Sequence, residues 1–293
     1  MESECGMLRR WGPCLRVALA VLGACHRGAE TPFAGGAADA PSEAHIEDVL
    51  VADAAEAAAG LEPFPNDPLF TNLTVTGFPE AVVSVPNGAT SRRPVVVVLH
   101  GSADRPDWNC DAWRHITGAY GFVLCPRGAY DPSESTTNDR RYTLRGGAYL
   151  RGYVDTALQA LQERFDAYVD IERPVVTGFS LGATEIAQLA VGDPPRFPRV
   201  AQLEGGYGVW TQPAIGAFLS GGGQRVLFGC GSGWCVPQAK AVAARLEKAG
   251  VPARVVFAAV GHTNDRPLQE ALMAELAWFL AGDSRWPSQE SAR

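Results

Sequence analysis

Residues 174–191 read Pro174-Val175-Val176-Thr177-Gly178-Phe179-Ser180-Leu181-Gly182-Ala183-Thr184-Glu185-Ile186-Ala187-Gln188-Leu189-Ala190-Val191. The β-branched run before Gly178 has the pattern of a short buried strand. Leu181 to Val191 has the pattern of an amphipathic helix. A chain that passes from strand to helix through Gly-Phe-Ser-Leu-Gly turns sharply at Ser180. The two glycines let the backbone turn without a side-chain clash. The serine hydroxyl then stands exposed above the sheet edge, in the positive potential of a helix amino terminus. The five-residue motif is short, and only the strand before it and the helix after it give it meaning.

The same alternation extends on both sides. Further strands are expected at Leu73 to Thr76, Ala81 to Val85, Pro94 to Leu99, Gly121 to Cys125, Arg199 to Leu203, Arg225 to Phe228 and Arg254 to Ala258. Helices are expected at Asp111 to Ala119, Tyr149 to Tyr168, Gln212 to Leu219, Val236 to Ala249 and Pro267 to Leu280. Val95 to Val98 is an unbroken valine run, suited to a strand buried on both faces. Strands alternating with helices imply a doubly wound, mostly parallel, eight-stranded α/β sheet with helices on both faces.

A serine hydroxyl needs a base to act as a nucleophile. The chain has five histidines. His26 and His45 lie in a low-complexity segment, and His115 falls inside an expected helix. His100 ends a buried strand and reads as structural. His262 follows the last expected strand, where the order serine, acid, histidine places the base.

Together, Leu99-His100-Gly101, Gly178 to Gly182, Gly261-His262 and the strand spacing resemble the α/β-hydrolase fold. Within that fold the likeness is to the dienelactone hydrolase and carboxylesterase-like branch. It covers residues 75–281. It implies a catalytic set of Ser180 and His262, with an oxyanion hole made by the backbone N–H of Leu181 and of Ser102 or Ala103. Such donors each contribute about 3 kcal/mol to lowering the barrier. The implied reaction is hydrolysis of a small-molecule ester through an acyl-enzyme, with no metal and no cofactor. A peptidase or amidase on the same framework is one alternative. A non-catalytic binding protein that kept the fold is another. Only Gly205 to Thr211 separates Glu204 from the next helix, so no large cap domain is expected there.

The resemblance places an Asp after the seventh strand of the fold, yet Gly229 to Pro237 holds no carboxylate. Glu204, at the end of the preceding strand, is the favoured acid, because some members of the fold use that position. Asp265 is the second candidate, three residues after His262. The competing expectation is that Glu204 makes a cap or ion pair and a backbone carbonyl holds His262. The long segment Pro126 to Gly147 is expected to form a pocket wall, with Tyr207, Trp210 and Trp234 as possible apolar surface.

The 293 residues carry a net charge of −7. Residues 26–70 hold nine acids and one base, so the acidity belongs to that segment and the body is neutral. The net charge of −7 argues against general nucleic-acid affinity, which needs a basic face, and a neutral body says little about substrate charge. Arg9 and Arg10 precede the apolar run Val17 to Leu22, and Leu22-Gly23-Ala24-Cys25 resembles a bacterial lipobox. The expected organisation is a signal peptide (1–24), an acidic Ala/Gly-rich tether (25–70), the hydrolase domain (71–282) and a tail (283–293). Cys25 would carry lipid and anchor the protein to a membrane in the bacterial cell envelope, periplasmic or on the outer face. A secreted soluble protein is the alternative. Four of the seven cysteines then remain in the body, and four permit three pairings. The resemblance places Cys110 and Cys125 near neighbouring strands, and Cys230 and Cys235 at the ends of one short loop. The expected disulfides are therefore Cys110–Cys125 and Cys230–Cys235.

Overall fold

The computed structural model describes residues 60–65, 68–86 and 88–287. The expected signal peptide, Cys25 and residues 26–59 of the tether lie outside the described residues. Among the described residues, no helix is long and apolar enough to cross a membrane.

Among the described residues, ten strands and six α-helices follow one another. The strands are β1 (Phe70–Leu73), β2 (Ala81–Ser84), β3 (Arg93–Leu99), β4 (Phe122–Pro126), β5 (Ala129–Asp131), β6 (Arg141–Thr143), β7 (Val169–Phe179), β8 (Arg199–Leu203), β9 (Arg225–Cys230) and β10 (Ala253–Phe257). The helices are α1 (Pro106–Ile116), α2 (Gly147–Phe165), α3 (Leu181–Gly192), α4 (Gln212–Ser220), α5 (Cys235–Ala249) and α6 (Arg266–Leu280). Eight strands form one sheet in the order β1-β2-β4-β3-β7-β8-β9-β10. β2 runs antiparallel to both β1 and β4, and the other pairs are parallel.

The valine run explains the layers. Successive strand side chains point to opposite faces. Val95, Val97 and Leu99 enter one core with Tyr153, Ile186 and Leu246, under α2, α3 and α5. Val96 and Val98 enter the other with Trp113, Leu268 and Phe279, under α1 and α6. From β3 the chain first moves outward to β4, then returns to place β7 on the other side of β3. Ligand sites in open α/β sheets form at such a reversal, beyond the carboxyl ends of the strands. Here those ends are His100-Gly101 after β3 and Ser180 after β7.

Several expected boundaries shift. β1 is Phe70–Leu73 rather than Leu73 to Thr76, because its register runs from Phe70 opposite Ser84 to Leu73 opposite Ala81. α1 starts at Pro106 rather than Asp111. Proline suits the first turn of a helix, where its missing N–H costs nothing, and Thr117 closes the other end with its hydroxyl on Trp113 O. The segment Pro126 to Gly147 holds an unexpected hairpin, β5–β6, which also bridges Asp104 to Tyr142.

The domain is longer at both ends than its sequence suggested. Residues 60–65, assigned to the tether, dock on the body. Leu61 N–H donates to Thr90 O at 3.0 Å and Phe64 N–H to Ala89 O at 2.9 Å. The Phe64 ring packs between Phe122 and Tyr168. At the other end, Trp286 is buried beside Tyr120. Buried Asp283 meets Arg199 at 3.5 Å and Arg285 at 2.7 Å. Residues 283–287 are thus part of the body.

The four body cysteines pair as Cys110–Cys125 and Cys230–Cys235, with Cα separations of 5.9 and 5.5 Å. The first ties α1 to β4. The second closes the loop between β9 and α5.

Candidate active site

Ser180 sits between β7 and α3 with φ 53° and ψ −111°. A positive φ is costly for a residue with a side chain, on the order of 1–3 kcal/mol. Close approach at both motif glycines sustains it. A Cβ on Gly178 would collide with Gly182 O, and one on Gly182 with Leu99 O and His100 O. The backbone of α3 is thereby pulled onto the end of β3. Ser180→Gly should relieve the strain at a smaller entropic cost. We expect that variant to be about 1 kcal/mol more stable, measured by denaturant unfolding.

The turn after β3 is held by its own side chains. Asp104 accepts Gly101 N–H at 3.1 Å, Arg105 N–H at 2.7 Å and Asn109 Nδ2–H at 3.0 Å. His100 is fully buried, with ring nitrogens 2.7 Å from Gly101 O and 2.8 Å from Arg127 O. Burial lowers its pKa, against the pull of those carbonyls. It braces the turn and does not line the cleft that holds Ser180. His115, on α1, is likewise away from that cleft.

Of the expected oxyanion donors, Ala103 is already engaged, since its N–H donates to Thr143 Oγ1 at 3.1 Å. The N–H groups of Ser102 and Leu181 have no partner among the described residues. Thr143 comes from the hairpin that the sequence did not reveal, which is why this contact was not foreseen.

Glu204 follows β8 directly, also at positive φ (56°). Its side chain is fully buried and its carboxylate accepts four hydrogen bonds. Oε1 takes Gly231 N–H at 2.5 Å and Ser232 N–H at 2.8 Å. Oε2 takes Ser232 Oγ–H at 2.5 Å and His262 Nδ1–H at 3.0 Å. Burial pushes the Glu204 carboxyl up. Donation from Ser232, His262 and Gly231 outweighs it and holds the group below its ordinary range. A carboxylate only accepts, so Nδ1 carries a proton, and in the neutral ring the lone pair is on Nε2. The loop after β9 therefore holds the carboxylate instead of supplying it. A Cβ on Gly231 would strike Gly261 O, and this close approach brings the two loops together. Asp265 stands at the start of α6, its side chain making neither a cap bond nor a hydrogen bond to His262.

The His262 side chain is 45% exposed. Its ring neighbours Phe179, with centroids 4.9 Å apart, and Trp234, at 6.0 Å. Ser180, His262, Phe179 and Ser102 line one cleft of about 530 Å³ at the carboxyl edge of the sheet. The sequence had no direct signal for Ser232 or Phe179 as neighbours of the site. Its one hint was Gly231-Ser232, standing where the resemblance expects a carboxylate.

The two disulfides should separate stability from activity. Their sequence separations of 15 and 5 imply about 3 and about 2 kcal/mol of stabilisation. Cys110→Ala/Cys125→Ala should therefore cost more stability. Cys230→Ala/Cys235→Ala should cost more kcat, because that loop orients Glu204. Equal kcat in the two double variants would reject this division.

The sequence matches no family model and no curated protein. Solved structures do match. FphF, a fluorophosphonate-binding serine hydrolase of Staphylococcus aureus with substrate bound, aligns at TM-score 0.50 and 11% identity, over 72% of this chain and 97% of that one. The S-formylglutathione hydrolase FrmB from Staphylococcus aureus aligns at TM-score 0.50 and 15% identity, over 75% of this chain and 100% of that one. With the strand order and the helices on both faces, these likenesses give the chain the α/β-hydrolase fold.

Proposed function

We propose that the protein is a serine hydrolase of carboxylic esters. The observation that carries this reading is the Glu204–His262 hydrogen bond at the mouth of the cleft that also holds Ser180 on its strained turn. In the reaction, Ser180 Oγ attacks the ester carbonyl and its proton passes to His262 Nε2. The N–H groups of Leu181 and Ser102 receive the developing oxyanion. Glu204 keeps the imidazole oriented and stabilises its cationic form. The intermediate collapses, and His262 hands the proton to the departing alcohol. Water then attacks the acyl-enzyme by the same route in reverse roles and frees Ser180. Kinship with the dienelactone hydrolase and carboxylesterase-like branch rests on the motifs around His100, Ser180 and His262. A fluorophosphonate probe followed by peptide mapping tests the reading. Label on Ser180 together with hydrolysis of short-chain esters supports it, and neither would reject it.

The same proposal includes export and anchoring through lipid on Cys25. It rests on Leu22-Gly23-Ala24-Cys25 after a basic, then apolar, start. Two disulfides suit the oxidising compartment that an exported protein meets. Growth with labelled palmitate should tag the full chain and not Cys25→Ala.

A further inference from the structure

We infer that Trp108 receives the acyl group of the substrate and makes the protein selective for esters whose acyl group is apolar and longer than acetyl, a conclusion that rests on the serine-ester-hydrolase reading. Of the large apolar side chains exposed among the described residues, Trp108 alone lines the cleft that holds Ser180. It is 49% exposed. A single exposed tryptophan needs no function. This one is held in place at both backbone and ring, in the wall of the cleft where the reaction would occur.

Trp108 stands in the first turn of α1. The next residue, Asn109, donates to Asp104, the carboxylate that also accepts Gly101 N–H. Cys110 then ties the helix to β4 through its disulfide with Cys125. The ring is held by cations. The guanidinium of Arg105 lies 4.8 Å from its centroid and that of Arg141 lies 4.6 Å away, both within the reach of cation–π attraction. Asp139 joins the two, with Oδ1 3.4 Å from Arg105 Nη1 and Oδ2 2.6 Å from Arg141 Nη2. Asp107 meets Arg105 Nη2 at 2.5 Å. Arg105 comes from the turn after β3, and Asp139 and Arg141 from the β5–β6 hairpin, so moving the indole would part ion pairs between two segments. Both cations are answered by carboxylates within this clamp, and the open half of Trp108 offers apolar surface. A ring already fixed costs less to bind against, and an apolar chain laid on it leaves water in proportion to its area.

The chemistry says which part of the ester lies there. His262 hands its proton to the departing alcohol, so the alcohol lies toward His262. Among the described residues the ring neighbours of His262 are Phe179 and Trp234, not Trp108. The helix that bears Trp108 leaves the turn whose Ser102 N–H receives the carbonyl oxygen. An acyl group extending from Ser180 away from His262 therefore meets Trp108 as the large apolar surface of the cleft.

The test measures kcat/KM of the purified full chain on two pairs of esters. p-Nitrophenyl hexanoate and p-nitrophenyl acetate share one alcohol, and hexyl acetate and methyl acetate share one acyl group. The native protein should favour the hexanoate over the acetate of p-nitrophenol by about tenfold or more. Trp108→Ala should bring that ratio down toward one and leave the ratio of hexyl to methyl acetate where it was. Trp108→Gln, which can still bond to the two arginines, should do the same, and it carries the test if the alanine variant does not fold. A native hexanoate preference below about tenfold overturns this inference. So does a preference that both variants keep, or a loss that falls on the hexyl to methyl ratio instead. In each of those cases, label on Ser180 with hydrolysis of p-nitrophenyl acetate leaves the hydrolase reading standing. No label and no hydrolysis of any of the four esters would overturn the hydrolase reading itself, and this inference with it.

Discussion

Ser180→Ala is expected to lower kcat on short-chain esters by a factor on the order of 10⁵–10⁶ and to abolish fluorophosphonate labelling. The size follows from the nature of the step. Without Oγ there is no acyl-enzyme, and a water molecule would have to attack the carbonyl directly. The N–H groups of Ser102 and Leu181 would still receive an oxyanion, so a small rate above background should survive. KM should change little, because the methylene and hydroxyl of one serine contribute a minor part of the cleft surface. The fold should be intact, since Gly178 and Gly182 set the turn and alanine takes up no new space. A variant that unfolds less readily yet keeps more than a hundredth of the activity would show that another group is the nucleophile.

The parts of the molecule legible in the sequence are those in which one segment carries its own signal. β8 is legible from Arg199 to Leu203, a short segment buried throughout and bounded by Pro198 and Glu204. Ser180 was legible because strand, glycines and helix lie together in 18 residues, and His262 because it follows the last strand. The parts that stayed hidden depend on segments far apart in the chain. Thr143 reaches Ala103 across 40 residues, from a strand of three residues too short for any alternation to show. Phe64 reads as one aromatic in an acidic tether, and its fit against Phe122, Phe165 and Tyr168, with the backbone bonds to Ala89 and Thr90, draws that segment into the body. Trp286 and Asp283 likewise have no helix or strand around them, and Asp283, held locally by Arg285, is tied to the sheet by Arg199, 84 residues earlier.

Glu204 shows how a buried carboxylate can reach His262 from a loop other than the expected one. The loop after β9 has no carboxylate, but it has backbone N–H groups, and those have no sequence signature beyond a glycine that permits close approach. Gly231 and Ser232 turn three donors toward the place where a side chain was expected, and Glu204 reaches across from β8 to fill it. The carboxylate comes from the end of β8, and the loop after β9 supplies only its donors. That geometry also ties the Cys230–Cys235 loop and Trp234 to the orientation of His262, so a loop without ionisable groups still governs the base.

Glu204→Gln should therefore lower kcat by about 10³–10⁴ near neutral pH with little loss of folded protein. The glutamine carbonyl can keep the two backbone bonds from Gly231 and Ser232, and its amide then faces Ser232 Oγ and His262 Nδ1. An amide N–H donates, so Nδ1 becomes the acceptor and the proton moves to Nε2, the atom that must take the serine proton. The base is then in the wrong tautomer, although every heavy atom stays near its place. Glu204→Ala differs in kind, because Gly231 N–H and Ser232 N–H lose a buried acceptor, and it should cost stability as well as rate, about 1–3 kcal/mol for each unpaired group. The acid limb of stability supplies a second readout. Because Glu204 titrates below the ordinary carboxylate range in the folded protein, its contribution is present above the unfolded value, about pH 4.3, and is lost as pH falls through the lower native one. The melting temperature of Glu204→Gln should fall less steeply than that of the native protein in that acid window. An unchanged kcat, with an unchanged acid limb, would remove Glu204 from the site and leave His262 oriented by something else.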